Sequence, residues 1–599
     1  MKTRRLPLLV LVPLLSSAFA FGQGRGGGGS RGGGSGGTVG VQPGTNARNM
    51  AVMGKGDNLD LTLRPGSAAD EPRVEFRSQS VLIQVPVVVT DRSGNHVHGL
   101  KKEDFNLFEN GKPVSVSVFE ELTASNDVLK LPPVAPGQFR NLTLDGPQPR
   151  NVVVVALDTV NTPFMDQAYG RHELVKFLAR NLNSGQVLAL MLITSHGLRV
   201  VQGLTGNPDQ LMQALKKASG EITRVETIST DAQADAATGD MPVTTFNPNS
   251  DPFAALDSFI EYGDAVEAQF VQANAIETTM DAFLGISYAL SGVPGRKSLI
   301  WATGGFPFNM DSPASVPGGY LSMLYERTML ALNEAKISVY PVDVRGLVNN
   351  SMFAEGNRTG SVSGLNASRI LTNRQWLQQA KFDTLNDFAD MTGGKAFYNT
   401  NDVAGSFKRA ADDGSSYYML SYYLDTRNTK PGWRKLQVKL DRKDVEIRAR
   451  TGFFVTNATM NPMLSRDLDM ANALHSPVEG TGVPVTIEWV TVASDGDKKK
   501  AVFMAHMPAG SLSFDPAGRD QLNFDFAAMA FDKSGKEAGQ SIQRFTRPVP
   551  PEQLASVKAN GIGFRNALEL GPGKYTVRFV VRDNVTGKVG SVTAPLTVD

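Results

Sequence analysis

Asn151-Val152-Val153-Val154-Val155-Ala156-Leu157-Asp158 is an apolar run with no polar residue inside it, closed by a carboxylate. A strand with one wet face alternates polar and apolar side chains. An unbroken run is the pattern of a strand covered on both faces, as in a parallel sheet. Parallel strands need long crossovers, usually helices, and the chain downstream supplies the alternation. Helix is expected over 165–181, strands over 187–193 and 198–204, and helix again over 209–218. Residues 275–290 read as a further helix, with Ile276, Met280, Phe283, Leu284 and Leu290 marking one apolar face. Residues 298–302 repeat the buried-strand pattern, 321–336 the helix and 337–342 the strand. A helix over 382–391, closed by Gly393-Gly394, leads to a last short strand at 395–398. The expected centre is a doubly wound α/β domain over 146–456, closing strands included.

Two insertions interrupt it. Residues 219–270 are rich in Asp and Glu and almost without Lys or Arg, while 346–374 are rich in Ser, Asn and Gly. Long loops in a compact domain are either functional or disordered. The acidic one reads as a solvated loop or as a docking surface for a basic partner, and no regular D-x-D-x-D-G spacing speaks for calcium.

The flanks follow a different grammar. Val81 to Val89 is β-branched and leads to the turn Asp91-Arg92-Ser93-Gly94-Asn95; Phe105 to Glu109 alternates into Asn110-Gly111, a strong hairpin signal. Residues 73–145 are expected to form a small β-sandwich. Related turns return at Asp532-Lys533-Ser534-Gly535-Lys536 and Asp583-Asn584-Val585-Thr586-Gly587-Lys588, so 478–599 reads as an all-β immunoglobulin-like sandwich, joined by a linker over 457–477.

The run Val152 to Asp158 with Asn161-Thr162, then Arg296-Lys297-Ser298-Leu299-Ile300-Trp301-Ala302-Thr303-Gly304-Gly305, then Ile337 to Asp343, resembles the von Willebrand factor A family. Leu100-Lys101-Lys102-Glu103-Asp104-Phe105 and Arg448-Ala449-Arg450-Thr451-Gly452-Phe453-Phe454 are similar to the flanks of a secreted, "VWFA-related" group described in Acidobacteria. The resemblance covers about 75–456. It implies partner binding at the C-terminal ends of the strands, through Mg²⁺ or another divalent cation held by oxygen ligands from three loops. Asp158 stands at the first Asp of the family's D-x-S-x-S, Thr162 at its second Ser, and Thr278 or Thr279 in the place of the second-loop threonine. Val160 replaces the first Ser and has no lone pair; Asn161 offers an amide oxygen instead. Gly304 stands where the third loop has its aspartate, so the implied site is incomplete. The residues also allow a structural reading, with Asp158 accepting backbone N–H groups and Thr162 capping the helix that Pro163 opens.

The ends and the composition bound the function. Lys2, Arg4 and Arg5, the apolar stretch 6–15 and Ala18-Phe19-Ala20 read as a signal peptide over 1–20. A Gly/Ser-rich tether follows over 21–72. No later run is long enough to span a bilayer, so an exported, periplasmic or extracellular protein is expected, with no transmembrane segment once the signal is removed. There is no cysteine, which excludes disulfides and thiolate chemistry, and the formal net charge of +1 gives no footing for nucleic acid. His96 and His98 alternate beside a turn but lack a third ligand. No nucleophile-elbow, zinc-protease or triad pattern stands in a fitting context. The reading is a non-enzymatic protein-binding or adhesion-type module. A metal-independent structural or assembly protein of the envelope is the alternative, and an enzyme of unknown reaction the least supported.

Overall fold

β6 (Val152–Asp158) is buried along its whole length and occupies the middle of a five-stranded sheet. The computed structural model describes residues 80–124, 135–141, 151–180, 186–218, 252–306, 308, 320–347, 364–425, 429–430, 432–455, 462–495, 498–514 and 520–599. The expected signal and tether lie outside these residues. The sheet runs β10 (Ile337–Asp343), β9 (Lys297–Thr303), β6, β7 (Val187–Thr194), β8 (Gly197–Thr205). The first four are parallel and β8 is an antiparallel edge.

The period of two along β6 divides the core. Val152, Val154 and Ala156 pack with α3 (Pro252–Leu290), α4 (Tyr320–Glu334) and α5 (Gly364–Thr392). Val153, Val155 and Leu157 pack with α1 (Phe164–Arg180), α2 (Pro208–Ala218) and α6 (Val403–Asp412). Each such side chain contributes about 1.5–3 kcal/mol by leaving water, which is why none of the seven positions in β6 is polar until Asp158. The structure extends two helices into the expected insertions, with α3 beginning at Pro252 and α5 at Gly364. The expected strand over 395–398 is reduced to one bridge, Phe397 to Val342.

The remaining described strands form antiparallel sheets, compatible with β-sandwich modules. β1 (Ser80–Asp91) lies between β11 (Ser416–Asp425) and β13 (Val445–Ala449), with β4 (Val118–Thr123) beyond β11. β2 (Phe105–Glu109) lies between β3 (Lys112–Val114) and β12 (Gly432–Leu440), with β14 (Gly452–Val455) outermost. Residues 416–455, expected to close the α/β domain, therefore pair with the N-terminal strands around Val85, Val87, Leu420 and Phe453. A period-two pattern specifies a buried face but not a partner strand. The Asn110-Gly111 hairpin is as expected, both residues having positive φ (48° and 77°). His98 pairs with Glu121 and His96 contacts Asp412 and Ser415, so the two do not converge.

At the C-terminus β19 (Ile562–Leu570), β16 (Lys498–Met507), β15 (Thr486–Asp495) and β5 (Gln138–Arg140) form one sheet. β18 (Glu537–Pro548), β17 (Gln521–Phe531), β20 (Gly573–Asp583) and β21 (Val589–Val598) form the other. β5 thus leaves the N-terminal strands it was grouped with. The Asp91 and Asp532 turns are alike in detail: each Asp Oδ1 accepts the N–H groups two and four residues on, and Gly94 and Gly535 take positive φ.

The expected linker over 457–477 holds α7 (Pro462–His475). Met470, Ala473 and Leu474 bury one stripe against Ala527, Met529 and Val580. Arg466 pairs with Asp525, Asp467 with Arg544, and Asp469 with Arg327 of α4 and Arg582 of β20. A second buried knot sits at Asp413, which meets Arg296, Arg448 and the Tyr340 hydroxyl. Among the described residues no helix is long and apolar enough to cross a membrane.

Candidate functional site

Asp158 ends β6 at the C-terminal edge of the parallel sheet, where loops from several strands meet, and its side chain is only 2 % exposed. Oδ1 accepts the backbone N–H groups of Val160 and Asn161, each at 3.0 Å. Oδ2 accepts Asn161 Nδ2 at 2.7 Å, the Trp301 indole N–H at 2.9 Å and the Thr303 hydroxyl at 2.9 Å. Burial pushes this carboxyl up from its ordinary value, while the Asn161, Trp301 and Thr303 donors pull it down.

The surrounding candidates are drawn into the same knot. Asn161 Nδ2 also donates to Thr279 Oγ1 at 2.9 Å, so Asn161 presents its amide N–H₂ to the centre rather than its oxygen. Thr279 is fully buried, and its hydroxyl donates to Ala275 one turn back. Thr278, its neighbour, donates to Asn274 and stands outside the cluster. Thr162 Oγ1 accepts the Gly304 N–H at 2.9 Å, tying the first loop to the third. Val160 packs against the apolar core. The structure thus brings Asp158, Asn161 and Thr162 together with Thr279, while Thr278 stands apart.

A divalent cation needs several oxygen lone pairs aimed at one point. Here five donors occupy the two Asp158 oxygens, Asn161 turns its nitrogen inward and Val160 offers nothing. These residues do not fit the ion that the resemblance implies. Gly304 sharpens the point, because a Cβ there would lie 2.6 Å from the Asn161 carbonyl oxygen. Restoring the family's acid with Gly304→Asp is expected to cost about 2–4 kcal/mol by overpacking and to create no Mg²⁺ uptake. A thermal melt with and without Mg²⁺ checks both, and an undiminished, Mg²⁺-stabilised variant would show the loop to be open after all.

Asp343, at the end of β10, was not among the expected site residues. Arg345 grips both its oxygens, Nε to Oδ1 at 2.9 Å and Nη2 to Oδ2 at 2.8 Å, and also reaches Gln378 of α5. Lys381, one turn along α5, has its pKa lowered to about 8 by burial and by Arg345, with Asp343 opposing. An Asp-x-Arg at a strand end was the signal available for this pair.

Near this edge four large apolar side chains are exposed among the described residues. Phe164 opens α1, Tyr320 opens α4 and donates to Glu277 of α3, Leu347 follows β10, and Trp376 lies on α5 just before Gln378; all four are exposed. Neither family models nor curated proteins match the chain.

Proposed function

We propose that this chain is an exported, non-enzymatic binding scaffold, built on a doubly wound, von Willebrand factor A-like domain between two immunoglobulin-like sandwiches. It engages a protein partner through the C-terminal edge of the parallel sheet and does so without a divalent ion. The observation that carries the reading is the state of Asp158. The carboxylate that the family resemblance assigns to the metal is consumed by five donors of its own chain. Arg345 clamps a second carboxylate of the edge, Asp343, through both of its oxygens. Among the described residues the edge offers a partner Phe164, Tyr320, Leu347 and Trp376. Exposed aromatic residues of this kind anchor protein interfaces. Export rests on the basic, apolar and small-residue pattern of residues 1–20.

The test has two arms on the full mature chain. Calorimetric titration with Mg²⁺, Mn²⁺ and Ca²⁺ is expected to give no saturable heat. Capture from envelope extracts is expected to persist in EDTA and to fall at least about tenfold for Tyr320→Glu with Trp376→Glu, as loss of interface anchors does. Capture abolished by EDTA overturns metal independence. Capture unchanged by the double variant moves the function to the buried ionic frame of Asp413 and Asp469, which suits a structural or assembly protein of the envelope.

A further inference from the structure

We propose that the seam joining α3, α4 and α7 is a proton-operated latch: uptake of one proton by Glu277 and Asp281, two carboxylates one turn apart on α3, tightens α7 against α3 and α4. It stands apart from the sheet-edge reading above and acts on how the α/β part is held to the C-terminal sandwich.

The sequence already sets these two acids against each other. At i and i+4 they are neighbours on one helix face, where like charges repel, and no residue three or four positions from either is basic. The structure turns this face to α4 and α7. Tyr320 of α4 donates to Glu277 Oε1 at 3.1 Å. Arg327, two turns further along α4, reaches the Tyr288 hydroxyl at 3.4 Å. Asp281 lies on α3 between these two crossings, and Asn472 of α7 hydrogen-bonds to it.

The cations do not balance the acids. Arg327 supports Asp281 but also pairs with Asp469, one turn before Asn472 on α7. Arg582 of β20 is engaged by Asp469 and Asn584. His475, one turn beyond Asn472, turns to Phe531. Three carboxylates therefore share two guanidinium groups, and the surplus negative charge falls on the half-buried pair of α3. Burial first, and then Glu277, push the Asp281 carboxyl up to about 6, against the pull of Arg327 and Asn472. For an acid raised by folding, the ionised form burdens the closed seam above about pH 6, and the burden lifts as pH falls toward the ordinary value of 3.8. With the proton on, repulsion along α3 ends and Arg327 is left to Asp469.

The experiment follows amide exchange of the full mature chain along α3 and α4 where they face α7, corrected for the pH dependence of the chemical step. Between about pH 8 and about pH 5, opening is expected to become about tenfold rarer, as linkage gives for a carboxyl at about 6 when closed and 3.8 when open. Asp281→Asn, neutral at every pH, is expected to show the low-pH protection throughout. Glu277→Gln, which removes the repelling charge, is expected to move the transition to lower pH. Infrared difference spectra give a second readout: a protonated-carboxyl band grows as the wild type is acidified through the transition and is missing in Asp281→Asn. Wild-type exchange that stays flat, a wild type without the band, or a slope that survives in Asp281→Asn overturns the latch. An unmoved transition in Glu277→Gln overturns the pairing of the two acids, even if Asp281→Asn fails to fold.

Discussion

Asp158→Ala lowers the stability of the α/β part of the chain by about 3–5 kcal/mol in EDTA, with no metal present in either protein. The substitution removes one acceptor group and leaves five donors without it. The Asn161 amide keeps Thr279 and the Thr303 hydroxyl can rotate, so these two recover part of the loss. The Trp301 indole N–H cannot. It is fully buried, pinned among Phe283, Phe306 and Phe388, and has one direction in which to donate. A buried donor left unmade costs about 1–3 kcal/mol, and the Val160 and Asn161 N–H groups add to it. Asp158→Asn is expected to lie between the two proteins, at about 2–3 kcal/mol. Whichever way its amide turns, its N–H₂ faces either the two backbone N–H groups or the indole. Trp301 supplies the readout, since its fully buried indole gives blue-shifted emission that is lost when the sheet edge opens. Equal midpoints for wild type and Asp158→Ala in EDTA, with a deficit appearing only in Mg²⁺, would return Asp158 to the role of metal ligand.

The same contrast between run and partner explains what was legible in advance. β6, β9 and β10 stand out in the sequence because burial on both faces leaves no polar break, and their ends fell within a residue or two of the expected ones. The Asn110-Gly111 turn was legible because two successive positive φ values favour those residues. The pairing of 416–455 with the N-terminal strands was not, since alternation says which face is buried and nothing about which strand lies alongside. α7 escaped because its buried stripe has few apolar positions, among Arg466, Asp467 and Asp469, whose partners lie 59 to 181 residues away. In the site, Asp158, Asn161 and Thr162 were identified as a group, being local in sequence. The choice between Thr278 and Thr279 was open, because neighbours on a helix differ by about 100° in direction, and only packing decides which one turns inward. The Trp301 contact spans 143 residues and has no local signature at all.

Asp469→Asn is expected to detach the α/β part from the C-terminal sandwich while leaving each folded. Asp469 is 4 % exposed. It accepts from Arg582 Nε at 2.8 Å, from the Tyr288 hydroxyl at 2.5 Å and from Arg327. These donors come from β20, α3 and α4, so one carboxylate on α7 closes three elements together. Asn keeps the shape and removes the charge that two nearly buried guanidinium groups share. Breaking a buried pair from one side costs about 3–5 kcal/mol, because the remaining charge stays desolvated. Two cations around one site deepen the penalty by their repulsion. Asp281 lies near Arg327 and can recover part of it. The break falls on the α/β side, because Arg466–Asp525 and Met470, Ala473 and Leu474 still hold α7 on the sandwich. Unfolding is therefore expected to split into two transitions, and amide exchange to rise first along α3 and α4 where they face α7. Asp467→Asn is the matched control, one charge removed from the same helix at the half-exposed pair with Arg544. Pairs of that kind contribute about 0.2–1 kcal/mol, and a single transition should remain. If Asp469→Asn melts as one transition within about 1 kcal/mol of Asp467→Asn, the apolar stripe of α7 holds the seam and the ionic knot does not.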